Sequence, residues 1–149
     1  MAQTTGAVSA RNAVVEFSTN GSSWTDCSGF TNKVEIDGGD RQTGTAPTFD
    51  GDTMILTAGK RETLKIKYTA VYTEGASELF EAARTAWQAG TAWYFRWTVK
   101  AATTGNFRFT TSSGFVVSMV LPGPDTTSGD PVPIEIEMET PEVTKATVP

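Results

Sequence analysis

Three short constellations in this sequence carry residue types that could do chemistry. Asp50-Gly51-Asp52 has the look of a calcium loop. An EF-hand beginning at Asp50 needs a bidentate Glu where Arg61 stands, and Thr53 and Met54 interrupt the ligand series, so a turn-rich loop is the better reading. Gly59-Lys60 resembles the end of a phosphate-binding loop, but Met54 occupies the first glycine position and Arg61 replaces the Ser or Thr. Glu135, Glu137 and Glu139 form a column of carboxylates. A glycosidase needs two carboxyls facing each other across a bond, whereas these three stand side by side on one strand face.

Histidine is absent, which removes Ser-His-Asp and Cys-His catalysis and histidine zinc sites together. Cys27 is the only cysteine, so no internal disulfide can form, and a small buried hydrophobe is its expected role. No enzyme activity and no cofactor are expected. Lys60, Arg61, Lys65 and Lys67 form the densest basic cluster, with Glu62 inside it, and read as a solvated strand face rather than a nucleic-acid surface. Twelve Lys and Arg against seventeen Asp and Glu leave a net charge of -5, the opposite of a phosphate binder. Met1 to Arg11 lacks a signal-length apolar core and no stretch reaches membrane-span length, so the chain is expected to be made in cytoplasm and to have no membrane partner.

The elements that must position these residues are mostly strands. The 149 residues suit one domain with its own core. Ala13 to Phe17 is a strand, Asn20-Gly21 a tight turn, and Ser22 to Cys27 its partner. After Val34 and Ile36, Asp37 to Asp52 shows no hydrophobic period and reads as an outsized loop, of a length that usually has a job. Thr53 to Thr57 is a strand, Ala58-Gly59-Lys60 a turn, and Glu62 to Thr73 a long strand with Leu64, Ile66, Tyr68, Ala70 and Tyr72 on one face.

Leu79, Phe80, Ala83, Ala86 and Trp87 then recur at helical spacing between a Ser77 cap and Gly90, with Glu78 and Glu81 in the first turn. Alternation returns at Thr91 to Lys100, where Trp93, Phe95, Trp97 and Val99 form a core row and Tyr94 and Arg96 are freer to meet partners. Phe107 to Thr110 and Phe115 to Leu121 read as a hairpin, Pro122 to Pro131 as a loop, Val132 to Glu139 as a strand, and the residues beyond Pro141 as an arm. The expected class is α+β, mainly β: a sandwich or half-open barrel with one packed helix.

The segment Asp26-Cys27-Ser28-Gly29-Phe30-Thr31-Asn32-Lys33-Val34, with Gly51-Asp52-Thr53, Gly59-Lys60-Arg61-Glu62 and Val71-Tyr72-Thr73-Glu74-Gly75, resembles the major tail tube proteins of long-tailed, siphophage-type bacteriophages. The resemblance covers roughly residues 10–140, and the order of elements agrees with it. It implies a virion subunit that forms stacked hexameric rings around a conduit for DNA ejection. Inner strands of neighbouring copies would pair into one barrel. The implied partners are copies of itself, a tape measure protein, and tail tip and terminator proteins, with DNA in transit. On this reading Glu135, Glu137 and Glu139 are candidates for acids facing the lumen. The 37–52 loop, with Asp37, Asp40, Arg41, Phe49, Asp50 and Asp52, is the candidate contact to the next ring, and residues 1–11 and 140–149 are terminal arms. The competing readings are a carbohydrate- or ligand-binding β-sandwich, supported by the four tryptophans, and a tube or decoration protein of another phage or injection device.

Overall fold

The computed structural model describes residues 4 and 6–149. Its strands are β1 (Val14–Ser18), β2 (Thr25–Asp26), β3 (Thr31–Gly38), β4 (Arg41–Ala46), β5 (Ile55–Arg61), β6 (Leu64–Val71), β7 (Tyr94–Thr98), β8 (Phe107–Thr111), β9 (Phe115–Val120), β10 (Pro133–Thr140) and β11 (Val143–Thr147), with one α-helix, α1 (Leu79–Ala89), between β6 and β7. The fold is mainly β with a single helix, and its sheets do not close into a barrel.

Alternation builds the two main layers. On β6 the odd-numbered side chains face away while Ile66, Tyr68 and Ala70 are completely buried, and on β10 Ile134, Ile136 and Met138 do the same. These strands form the centre of a four-stranded antiparallel sheet in the order β3-β6-β10-β9. A five-stranded sheet, β11-β8-β7-β1-β2, covers it. Between the layers, Tyr68 stacks on Phe95 at 4.3 Å and Phe17 stacks on Trp93 at 5.0 Å. The Trp93 indole N–H donates to the Tyr68 hydroxyl at 2.7 Å, so neither buried polar atom is left unpaired.

The helix buries Leu79, Phe80, Ala83 and Ala86 and lies against β9. Phe80 meets Tyr72 edge to face at 5.0 Å. Gly90 ends it in the left-handed conformation expected of a C-terminal glycine. The start is one residue later than the sequence suggests: Glu78, not Ser77, is the cap, and its carboxylate accepts from the Gly75 amide rather than from the helix.

Five sequence expectations are corrected. Asp37 to Asp52 is not a structureless loop: Arg41–Ala46 pairs with Ile55–Arg61 in a separate two-stranded ladder, and Ala58-Gly59-Lys60 lies inside β5 rather than forming a turn. The β8 and β9 strands do not form a hairpin, because β8 joins β7 and β11 in one layer while β9 joins β10 in the other. Gly114 makes that crossover possible. It exchanges backbone bonds with Trp93, and an added Cβ there would strike the Glu139 carbonyl and come 2.9 Å from Met138 Cε. The residues beyond Pro141 are no free arm, since β11 completes the edge of the larger sheet and Val148 is buried. The Asn20-Gly21 turn is wider than a two-residue hairpin. The Asn20 side chain accepts from the Ser22 and Ser23 amides, leaving only Thr25–Asp26 to pair with β1. Part of the expected N-terminal arm (Met1, Ala2, Gln3 and Thr5) lies outside the described residues; within them Ala10–Asn12 forms a single 3-10 turn.

Candidate assembly interface

The outer face of the four-stranded sheet carries the acids singled out by sequence. Glu135, Glu137 and Glu139 do share it, each half-buried on β10. They are not an isolated acidic wall. Register places Glu137 opposite Lys67 and Glu139 opposite Lys65, and on the far side of β6 it sets Glu35 against Lys67 and Asp37 against Lys65. Lys67 Nζ reaches Glu135 at 3.2 Å, Lys33 pairs with Glu35 at 2.6 Å, and Glu139 accepts from the Thr63 hydroxyl. The mutual hydrogen bond raises the pKa of Lys33 and lowers that of Glu35. Five carboxylates, Glu35, Asp37, Glu135, Glu137 and Glu139, face three lysines, so the surface is acidic in balance but striped with cations. The sequence cluster of Lys60, Arg61, Lys65 and Lys67 is divided, with Lys65 and Lys67 on this face and Lys60 and Arg61 on the β4–β5 ribbon.

Both edges of this sheet are open. Beyond β3 and beyond β9 no strand follows among the described residues. Across the sheet, β3, β6, β10 and β9 alternate in direction, so β9 of one copy would meet β3 of a like-oriented copy antiparallel. The β9 edge also exposes Phe115 and Val120 on the charged face, unusual for an edge meant to stay in water.

The β4–β5 ribbon is the other conspicuous surface. It prolongs the β3–β6 ladder through backbone bonds from Gly39 to Thr63 and from Glu62 to Asp40. The bend between the ladders passes through Gly38 at φ 79°, where a Cβ would sit 2.6 Å from the Thr63 carbonyl. Every residue of both ribbon strands is exposed, and Phe49, Met54, Ile55 and Leu56 present large apolar groups to solvent. The predicted loop residues sort along it: Asp37 and Asp40 stand at its root, Arg41 bonds the Gly59 carbonyl across it at 2.8 Å, and Phe49, Asp50 and Asp52 form its tip. Sequence reasoning missed Met54, Ile55 and Leu56, although three consecutive apolar residues in an otherwise polar stretch are a signal of their own.

The remaining side chains singled out by sequence do little chemistry. Cys27 is fully buried, its thiol directed at the Val15 carbonyl, and burial pushes its pKa up to about 12. Three of the four indoles are engaged within the fold: Trp93 is buried, Trp97 stacks on Phe109, and Trp24 is covered by Arg96 at 4.2 Å, while Trp87 on α1 is exposed. Arg96 is itself clamped by Glu16 at 2.6 and 2.9 Å. Among the described residues there is no group of three potential metal ligands and no helix long and apolar enough to cross a membrane.

No family model matches the chain, and no curated protein matches it. Solved structures do. A chain of the PVC sheath-tube complex, an extracellular contractile injection system in the extended state, is 19% identical with a TM-score of 0.67, covering 97% of this chain and 94% of that one. A chain from the tail of an empty GTA particle, refined with C6 symmetry, is 12% identical with a TM-score of 0.65, covering 99% and 100%. The SPP1 tail tube is 13% identical with a TM-score of 0.56, covering 91% and 77%. The described chain therefore has a tail-tube-like fold. The likeness extends across injection systems, gene transfer agent and phage tail, so it is not specific to long-tailed phages.

Proposed function

We propose that this protein is the repeating subunit of a tail tube carried on a virion or a related particle, with no catalytic role. The observation that carries the reading is the β4–β5 ribbon: a two-stranded ladder exposed along its whole length, with an apolar tip, is marginal by itself and gains stability by packing on another molecule. The fold it grows from is shared with chains of tube-bearing assemblies over nearly its full length.

In this reading copies meet head to tail, the β9 edge of one beside the β3 edge of the next, which is a heterologous contact that closes into a ring. Six copies per ring follow the C6 symmetry of the GTA tail. The ribbon reaches the neighbouring ring, and the charged face of the four-stranded sheet lines the lumen. A surplus of carboxylates there keeps nucleic acid from adhering, because phosphates bind lysine surfaces by releasing counterions. Tape measure, tip and terminator proteins complete the tail.

Electron microscopy of the protein expressed with its neighbouring tail components tests the assembly: hollow tubes are expected, and dispersed monomers throughout would refute it. Replacing Glu135, Glu137 and Glu139 together by Lys adds three cations to Lys33, Lys65 and Lys67 and leaves only Glu35 and Asp37 to balance them on this face. Tubes should still form while DNA delivery falls, and undiminished infectivity would remove these residues from the lumen.

A further inference from the structure

The core of this sandwich is covered unevenly. Ile36 stands directly opposite Ile66 in the β3–β6 ladder, so both point toward the inside. Ile66 is 0% exposed and Ile36 is 49% exposed. The same asymmetry appears on the facing layer, where the inward row from the buried Phe95 continues through a partly buried Trp97 to an exposed Val99. Between them lies an open cleft of about 390 Å³, bounded by Val34 and Ile36 on one side, Trp97 and Val99 on the other, and Arg11 and Lys33 at its rim. Inward-facing apolar side chains left in water in this way mark a surface that lacks its cover.

An amphipathic helix lies on the opposite flank of the same chain. The helix α1 packs against β9, the far edge of the four-stranded sheet from β3. There it closes the sandwich with Leu79, Phe80, Ala83 and Ala86 and leaves Trp87 exposed. Resting on the ring reading above, in which β9 of one copy adjoins β3 of the next, we infer that α1 of each copy closes the open cleft of its neighbour, with Trp87 entering between Ile36 and Val99. The continuity is geometric: the ring contact that pairs the two sheet edges carries the helix beside β9 to the uncovered core beside β3. Charge agrees with it. Arg11 at the cleft has no ion-pair partner among the described residues, and neither do Glu78 at the helix cap and Glu74 in the segment leading to it. Each subunit then completes the hydrophobic core of the next, so the folded ring is better packed than the isolated chain.

The buried Cys27 leaves a quiet background for engineered cysteines. A chain carrying Trp87→Cys and Ile36→Cys, assembled and mildly oxidised, should give a ladder of covalent multimers that collapses on reduction, which neither single variant produces. A second chain carrying Lys33→Cys and Val120→Cys reports the sheet-edge contact alone. A ladder from the second pair with none from the first, in visible tubes, would overturn the helix docking while the ring stands; this is the outcome if the chain's own first residues cover the cleft. The absence of both ladders and of tubes would overturn the docking together with the tube reading.

Discussion

The paired strands β6 and β10 and the paired strands β4 and β5 use the same backbone bonds and have opposite relations to water. In the first pair every second side chain is buried against an aromatic layer, down to Ile66, Tyr68, Ile136 and Met138 at 0% exposure. In the second pair no side chain is buried at all. Backbone hydrogen bonds contribute only about 0.5–1.5 kcal/mol each in net stability because water competes for them, and both pairs have them, so it is burial that separates the two. The sandwich is held by its own chain. The ribbon has no cover among the described residues.

The sharpest way to break this contrast is to excise the ribbon. Asp40 and Glu62 are already joined by a 2.8 Å backbone bond, so removing Arg41 to Arg61 leaves two ends that lie side by side. Polymerisation should vanish entirely in electron micrographs, while the unfolding free energy of the monomer stays within ~0.5 kcal/mol, as for changes remote from a core. Intact tubes from this variant would show that the ribbon is ornament. A Trp93→Ala change probes the other region. It removes the stack on Phe17 and strands the buried Tyr68 hydroxyl, and should cost about 3–5 kcal/mol in urea unfolding; a loss comparable to a surface change would mean the core is less cohesive than its packing indicates.

The smallest effect concerns Cys27. Its folded pKa of about 12 lies above the ordinary 9.0 because burial disfavours the thiolate. The neutral thiol is therefore kept to higher pH in the native state, and this contribution to stability is whole below about 9 and lost as the pH rises toward about 12. At pH 8 a thiol reagent should label the denatured chain readily and the native chain only as it opens. Rapid native labelling would place this part of the core among the regions open to solvent.

Much of the sandwich could be read before any coordinates. Strict alternation in Leu64 to Val71 and in Ile134 to Met138 places the same residues inside that the fold buries, because a strand has only two faces. The helix was legible from its 3.6-residue period and Gly90, within one residue at the start. What escaped was pairing. Polar strands such as Arg41–Ala46 have no buried face and so leave no period to detect, and the Ser112 to Gly114 turn signal gives no warning that the chain passes from one sheet to the other. The carboxylate column was correctly placed on one face, but Lys65 and Lys67 became its neighbours only through β6–β10 register.

The absence of histidine, the lone cysteine, the acidic balance and the face assignment of each long strand are properties of residue type and local period, and the sequence alone determined them. Which strands are edges, which inward side chains remain uncovered and where the ribbon projects were decided by the tertiary structure. These depend on contacts between residues far apart in the chain, such as Ile36 with Ile66 or Gly114 with Trp93, and no local pattern encodes which distant partner will supply the missing half of a surface.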